Sequence, residues 1–498
     1  MSAVQTAPEV KSPIALGLVA ASVALGLLGD GLLRATPWGL NAGLWTAALT
    51  IGLLIIARLQ RLQLRGGVRW LLLPAFLFAA AIAWRDSPTL VGLNILAVAV
   101  ALGLAAGRSR AGRVRVAGVT DYLFGLSVAA LGTWLGPVLL VFSDFDRSRV
   151  SRTRWSPQMA DIGRGLTIGL PLVLLFGCLF AAADAVFEGL VTNLFAWDVR
   201  AVVSHGFLFG FWAWLAGGYL RQALLSSDVR NPIRRCPHVL SLGIVETGIV
   251  LGLLDLLFLA FVLVQLGYLF GGTALVESSA GWTYAEYARR GFFELVAVAA
   301  LVLPLLLLGE WVLRKESRAT LRGFRLLAGV LIALLFIIME SALVRMRLYQ
   351  QEFGLTELRL YTTAFMAWLA VVFVWLLLTV LRGRRSRFAF GALVAGFVFL
   401  TVLNAINPDA YIARTNIERA AEGKRFDSAY AASLSDDAVP TLINGLPSLA
   451  AADRTILIEQ LRQTSGRRSR GDWRTWNRGR ALAADVLNEN GTVQHPTR

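Results

Sequence analysis

The chain has 498 residues, of which 56% are hydrophobic and 16% are charged, and its formal net charge is +16. Soluble domains carry about 25% charged residues, so this composition excludes an ordinary soluble protein. It also lacks the short alternating segments of a β-barrel. The positive charge is nearly all arginine beside apolar runs, which favours contact with membrane lipids over contact with nucleic acid.

The sequence offers little that could hold a metal or a cofactor. Its two cysteines, Cys178 and Cys236, and its three histidines are scattered, and their spacing matches no metal site or disulfide framework. No nucleotide-binding loop, serine-hydrolase elbow or zinc-protease motif occurs. We therefore expect no cofactor and no metal, and we name no catalytic residue.

Apolar runs recur along residues 1–404. A helix needs about 20 apolar residues to cross a bilayer, and Trp70–Trp84 is short by that measure. The runs lie at about 14–33, 42–57, 70–84, 90–106, 119–142, 163–183, 201–220, 239–270, 291–313, 324–343, 361–381 and 388–404. They predict an all-α polytopic bundle of about 11–12 transmembrane helices. We expect the first run to be a retained span, a cleaved signal peptide being the alternative.

Arginine-rich segments between the runs predict the orientation of the bundle. They are Arg58–Arg69, Arg108–Arg115, Arg221–Arg235, Arg314–Arg325 and Arg382–Arg387. Such segments stay in the cytoplasm, which also places the N-terminus there. The segment Arg147–Arg154 conflicts with this scheme if residues 119–142 cross once. We expect residues 119–142 to enter and leave on one side near Gly136-Pro137, the alternative being a loop that breaks the rule. The result is eleven crossings and an external C-terminus.

Glycines four residues apart allow two membrane helices to approach closely. Five such pairs occur, at Gly103/Gly107, Gly132/Gly136, Gly165/Gly169, Gly206/Gly210 and Gly248/Gly252. Because glycine is abundant in this chain, we expect only about one pair in three to be a true helix contact.

The apolar hairpin Ser241–Leu313 carries three carboxylates that look buried, Glu246, Asp255 and Glu294. Asp255 lies near the middle of its helix on the face of Gly248 and Gly252, so it should point at a neighbouring helix. Glu246 lies near the cytoplasmic end and faces the opposite way.

These acids, with others of the bundle, form a candidate intramembrane polar site. Its members are Asp255, Glu294, Glu340, Arg290 and Arg347. We expect the three acids to converge with arginines of similar depth, because an unpaired carboxylate in hydrocarbon is costly. The functional interpretation is an ion or proton relay or a polar substrate site. The structural one is a set of interhelical ion pairs and residues whose charged ends reach the interface. For Asp255 the two are balanced, and for Glu294 and Glu340 the structural one is favoured.

A dense aromatic and charged patch precedes the Glu294 helix. Its residues are Tyr284, Glu286, Tyr287 and Arg289, and Arg290 follows them. The patch is a candidate external surface for a headgroup, a glycan or a peptide. An ordinary aromatic belt is the alternative and is slightly favoured, since tyrosine and arginine are common at this depth.

Residues 405–498 are polar and form the second predicted domain, a small α-helical tail after the bundle of residues 1–404. Asn407 suits a helix N-cap, Pro408 the first turn and Asp409 the positive end of the helix dipole, so these three residues predict a structural joint. The first helix should end at Gly423. Further helices should start at Ser435 or Asp437 and cover about 449–463 and 473–487.

Four stretches together resemble a known family. They are GLPLVLLFGCLFAAADAVF (169–187), LLDLLFLAFVLVQLGYLFGG (253–272), TYAEYARRGFFELVAVAAL (283–301) and NPDAYIARTNIERA (407–420). They resemble a bacterial family of polytopic membrane proteins catalogued as domain of unknown function four-one-seven-three, related to four-one-five-three. The resemblance implies an all-helical fold in a bacterial plasma membrane. It implies no activity.

Three functions stay open. A transport or flippase-like bundle fits the buried acid and the long polar loop, although no inverted repeat is evident. An envelope-assembly or signalling scaffold fits the separate tail, which could bind a protein partner. A membrane enzyme acting on lipid or glycan fits least, because the loops are short and poor in paired carboxylates.

Overall fold

A computed structural model describes residues 8–62, 68–107, 117–142, 199–225, 241–270, 292–314, 317–468 and 471–489, with a few separate positions between 165 and 180. Within these residues the fold is all-α, as predicted, and the only extended pairing is an isolated bridge between Leu242 and Leu313. Among the described residues, eleven apolar helices are followed by five helices in the polar tail.

The apolar helices are α1 (Pro8–Leu33), α2 (Leu40–Leu59), α3 (Val68–Trp84), α4 (Pro88–Gly107), α5 (Val119–Phe142), α6 (Val199–Leu225), α7 (Ile244–Phe270), α8 (Phe292–Val312), α9 (Arg318–Phe353), α10 (Glu357–Thr379) and α11 (Phe388–Ile406). The tail helices are α12 (Pro408–Ala421), α13 (Ser428–Ser433), α14 (Val439–Gly445), α15 (Ala451–Arg468) and α16 (Arg478–Glu489).

Nine of the described helices are long and apolar enough to cross a membrane, and the described parts of α1 and α3 are shorter apolar helices. The chain is therefore a multi-pass membrane protein. Each predicted run except 163–183, which falls mostly outside the described residues, coincides with one of these helices. The apolar faces that point away from the core contact lipid, as on α7, where Leu253, Leu256 and Leu257 are all more than 60% exposed.

Helices α1 to α6 pack in antiparallel succession, and glycines make the closest approaches. A methyl group at Gly107 would overlap the backbone of Gly125 on α5, and one at Gly136 would overlap the backbone of Gly218 on α6. The pairs Gly103/Gly107 and Gly132/Gly136 are therefore real contacts. At Gly210 and Gly252 a methyl group would meet nothing within 4 Å, so the pairs that include them make no such approach.

The prediction that residues 119–142 turn back within the membrane is wrong. They form one continuous helix, α5, through Gly136 and Pro137. Twenty-four residues at 1.5 Å each are long enough to cross. The absence of an N–H group at Pro137 is tolerated because α6 packs against α5 at this level, with Gly218 beside Pro137. Since α6 runs antiparallel to α5, α6 starts on the side on which α5 ends.

The second half of the bundle is built around α9, against which α7 and α8 pack, with α10 next to it. Helix α11 joins the two halves. Its Leu400 and Leu403 pack with Phe78 of α3 and with Leu90 and Ala97 of α4. Asn404 of α11 and Asn94 of α4 exchange two hydrogen bonds of 3.0 Å while both are buried. The polar residue in the last span is thus fully satisfied by a structural partner.

The bundle has two distinct ends. At one end the start of α7 bonds to the segment after α8, and Arg385 before α11 lies 3.6 Å from Glu310 of α8. We call this end the arginine side, because the described residues of the predicted arginine-rich segments lie there. The opposite end carries the loops α1–α2, α3–α4 and α9–α10, and the tail packs on it. We call that end the tail side.

The tail has a hydrophobic core of its own. This core contains Ile412, Leu442, Leu457 and Leu487, which come from four tail helices and are nearly or fully buried. From outside the tail, Leu355 is its one buried member among the described residues, and the partly buried Leu360 packs against it. The predicted helices are present, the first ending before Gly423, which has a positive φ of 82°. The short helix α13 was not predicted, because six residues are too few to show a helical period.

Candidate functional site

Asp255 is buried on the face of α7 that packs against α9. The buried face of α7 repeats every three or four residues and consists of Thr247, Leu251, Asp255, Phe258, Val262 and Gln265. Neither carboxylate oxygen of Asp255 has a hydrogen-bond partner among the described residues. Asp255 therefore points at a neighbouring helix, as expected, but it meets no cation among the described residues.

The other acids of the predicted intramembrane site differ from Asp255. Glu294, Glu340 and Arg347 are exposed, and Arg290 lies outside the described residues. Glu246 is also exposed and accepts a hydrogen bond of 2.5 Å from the backbone N–H of Gly243, so it caps the start of α7. The expectation that Glu246 and Glu294 are buried is therefore wrong, because both lie in the first turn of a helix. The clustering of the three acids stays a prediction.

The predicted external surface, Tyr284, Glu286, Tyr287 and Arg289, lies outside the described residues. It stays a prediction.

The predicted joint has the expected geometry at its helix start. Asn407 is the N-cap of α12, its side chain accepts a hydrogen bond from the N–H of Ala410 at 3.4 Å, and Pro408 takes the first turn. Asn407 also donates to the backbone oxygen of Asp437 at 3.3 Å, and the fully buried Asp409 accepts hydrogen bonds from the backbone and hydroxyl of Ser435. The joint thus also holds a later part of the tail.

A second polar region, which the sequence did not predict, lies where the tail meets the loop between α3 and α4. One carboxylate oxygen of Asp437 accepts hydrogen bonds from the backbone N–H groups of Asp86 and Ser87 at 2.6 and 3.2 Å. Its other oxygen lies 3.8 Å from Arg85, and Arg480 of α16 lies 3.4 Å from Asp86. We call Arg85, Asp86, Ser87, Asp437 and Arg480 the docking cluster, since they join tail and bundle.

Amide and guanidinium groups extend the docking cluster on both sides. Asn477 donates to the backbone oxygens of Ile82 and Arg85 at the end of α3, at 2.8 and 2.9 Å. At the other edge, Arg419 donates to the backbone oxygens of Gln351 and Glu352 at the end of α9. The tail is therefore held by polar contacts to several bundle segments rather than hanging from α11.

Burial changes the acidity of the docking cluster. Loss of solvent raises the pKa of Asp86 to about 7, although Arg480 acts in the opposite direction, and the nearby Asp436 and Asp437 add to the increase. Burial also raises the pKa of Asp437, against the effects of the Asp86 N–H and Arg85. The contacts between tail and bundle thus include carboxyl groups that take up protons far more readily than ordinary aspartates.

A further acidic contact lies deeper in this interface. The carboxyl groups of Glu357, at the start of α10, and Asp409 lie within hydrogen-bonding reach of each other. A hydrogen bond between two carboxyl groups requires that one of them holds a proton. Oδ2 of Asp409 accepts from Ser435, whereas Oδ1 has no hydrogen-bond partner within the described part of the chain. No group of three or more metal-ligating side chains exists among the described residues.

A third polar group joins α1 and α6 on the tail side. The ring nitrogen Nδ1 of His205 lies 2.6 Å from a carboxylate oxygen of Asp30, and Arg34 bonds to Asp30 and to the hydroxyl of Ser204. No local pattern in the sequence indicates this contact, because 175 residues separate the two partners. The contact fixes the ring orientation of His205 and ties two antiparallel spans together.

The family model described as Domain of unknown function (DUF4153) matches residues 72–445, which is well over half of the chain. The chain belongs to this family. The four stretches predicted the related family four-one-seven-three and gave four-one-five-three as its relative. The match corrects the family to DUF4153. The match covers α3 to α14, so it includes Asp255 and most of the docking cluster. Neither the curated proteins nor the solved structures yield a match to the chain.

Proposed function

We propose that this member of the DUF4153 family is a transport or flippase-like membrane protein whose polar intramembrane site is built around Asp255. The observation that carries the proposal is a buried carboxylate within a span, both oxygens of which have no hydrogen-bond partner among the described residues. A structural acid at such a depth would be paired. Ionisable residues inside spans that lack such a partner mark ion and substrate pathways.

We further propose that the arginine side faces the cytoplasm of a bacterium and that the tail is external. The described ends of the arginine-rich segments, such as Arg314 and Arg382–Arg387, support this orientation through the positive-inside rule. The separate core of the tail supports a division into a bundle of residues 1–404 and a tail of residues 405–498. An impermeant protease added to intact cells should cut the tail. Cleavage only after lysis would reverse the orientation.

The scaffold function remains the second candidate. It is supported by exposed apolar side chains on the tail, among them Ile456 and Tyr411, which are both nearly half exposed and could contact a protein partner. The docking contacts argue for a tail fixed on the bundle, which suits a gate or cover for a transport site better than a tethered binding module.

The test uses the full-length protein in liposomes. Two signals are measured, the collapse of an imposed pH gradient and the movement of a fluorescent lipid between leaflets. We expect one signal in vesicles with the natural protein and its loss in Asp255→Asn, which keeps the side-chain volume. The matched control is Glu352→Gln, which neutralises an exposed acid at the end of α9 outside the candidate site and should keep the signal. If Asp255→Asn matches the natural protein in both assays, the proposal is wrong.

A further inference from the structure

The interface between α7 and α9 contains three buried polar side chains with atoms that lack a hydrogen-bond partner among the described residues. They are both carboxylate oxygens of Asp255, the amide oxygen of Gln265 and the hydroxyl of Ser341. All three residues are at least 92% buried. Unsatisfied buried polar groups cost free energy, so several along one helix interface need an explanation.

The order of these groups follows from the packing register. Helices α7 and α9 run parallel, because the side chain of Ile244 lies beside Gly323 and that of Leu327 lies beside Gly248. The same register places Ser341 level with Val262, between Asp255 and Gln265. At 1.5 Å per residue, Gln265 is about 15 Å from Asp255 along the helix, in the direction of the tail side.

The half of this interface nearer the arginine side is different. There the hydroxyl of Thr247 is satisfied by the backbone oxygen of Gly243 at 3.0 Å. Between Thr247 and Asp255 the buried side chains are apolar, namely Leu251, Ala328 and Leu331. Unsatisfied polar atoms thus lie on one side of Asp255 and a packed apolar layer lies on the other.

We infer that the α7–α9 interface is a proton-access path from the tail side to Asp255, and that a proton is the ligand of the intramembrane site; this inference rests on the function proposed above. A metal cation requires several oxygen ligands, whereas Asp255 is the only buried acid of this interface among the described residues. The acids of the neighbouring helices, Glu340 on α9 and Glu294 on α8, are exposed. A single carboxylate in an apolar interface suits a proton.

The binding step changes no oxidation state. A proton from water on the tail side forms an O–H bond to one carboxylate oxygen of Asp255, and the neutral acid then lies in the apolar interface without a counter-charge. Release of the proton returns the carboxylate. Gln265 and Ser341 supply polar atoms to which water can bond on the way, which the apolar layer on the arginine side cannot do.

The test measures protonation of Asp255 with a hydrophobic carbodiimide, which crosses membranes and reacts with protonated carboxyl groups. Liposomes with the full-length protein are captured through a tag at Arg498, so that the tail faces outward, and the pH is set separately on the two sides. Labelling of the α7 peptide is read by mass spectrometry. Above the titration midpoint, we expect labelling to fall by up to about tenfold for each pH unit by which the tail-side pH rises. Labelling should not depend on the pH on the arginine side.

Two variants locate the path. Replacing Gln265 with Leu together with Ser341→Ala should make labelling insensitive to tail-side pH, whereas the matched control Thr247→Val, on the other side of Asp255, should keep the natural response. Asp255→Asn should abolish labelling of this peptide. If the double variant does not fold, the test rests on which side's pH controls labelling in the natural protein. Labelling that follows the pH of the arginine side or of both sides equally, or no labelling at any pH, would overturn the inference.

The outcomes separate this inference from the proposed function. If labelling follows tail-side pH but Asp255→Asn leaves ion and lipid movement unchanged, the proton path exists and transport does not depend on it. If transport depends on Asp255 while labelling follows the arginine side, the transport proposal stands and the path is wrong.

Discussion

Asp437 makes three contacts between tail and bundle, so its replacement by alanine should loosen the tail. One of its carboxylate oxygens accepts two backbone hydrogen bonds, from Asp86 and Ser87, and the other lies 3.8 Å from Arg85. The side chain is only 1% exposed. Alanine offers no acceptor for these two N–H groups.

The size of the effect follows from what alanine leaves behind. Each buried donor without an acceptor costs about 1–3 kcal/mol, so the two N–H groups together give about 2–6 kcal/mol. Arg85 adds little, because it also donates to the backbone oxygen of Asn404 at 2.7 Å. Water that enters the gap would satisfy part of the loss, and we expect a net cost of about 2–4 kcal/mol. Asp437→Asn keeps an acceptor oxygen and should cost about 1 kcal/mol.

Hydrogen exchange of the full-length protein in lipid nanodiscs measures this cost. Amides in α12 and α14 that exchange when the tail leaves the bundle should exchange about 30- to 1,000-fold faster in Asp437→Ala. Amides in α9 should not change. The matched control is Asp485→Ala, which removes an exposed carboxylate of α16 in the same tail. Equal exchange in the two variants would refute the assignment of Asp437 as the residue that holds the tail.

Three further outcomes are expected. Because burial raises the pKa of Asp86 from 3.8 to about 7, docking should be strongest near pH 4 and lose up to about 4 kcal/mol as pH rises to 8; protease protection of the tail that stays constant or increases with pH would contradict this. Asn94→Leu should leave the amide of Asn404 without its partner and cost about 0.6–2 kcal/mol, measured by thermal unfolding in detergent, whereas a neutral result would mean that another group replaces the partner. Gly136→Val should lower the melting temperature, as overpacking costs about 1–3 kcal/mol, while Gly210→Val, which meets open space, should not.

Hydropathy predicts the spans well because every turn of a helix within the hydrocarbon must carry mainly apolar side chains. It underestimates α9, predicted at 324–343 and observed from Arg318 to Phe353. The extra turns carry charged residues such as Arg322 and Arg347, which give no apolar signal. The path of residues 119–142 was predicted wrongly for a related reason. That prediction gave more weight to the arginines of the following loop than to the length of the helix.

The docking contacts could not be predicted from the sequence. Asp437 and Asp86 are 351 residues apart, and each has an ordinary local role, Asp437 near a helix start and Asp86 in a short loop. Local patterns of charge and hydropathy contain no information on such pairs. The depth of Asp255 and its direction toward a neighbouring helix were predictable, because both follow from position along one apolar helix. Its lack of a cation partner depends on α9 and was not.

Two kinds of buried polar residue among the described residues differ in their hydrogen bonding. Asn94, Asn404, Asn477 and Asp437 lie at helix contacts and are paired with specific backbone or side-chain atoms, so each has a structural reason to be buried. Asp255 belongs to the other group, whose buried oxygens have no hydrogen-bond partner among the described residues. A fold under selection for stability alone would gain by replacing such a residue with a leucine. Its presence opposite an apolar face of α9 is therefore the strongest reason to seek the function at this interface rather than at the well-paired contacts of the tail.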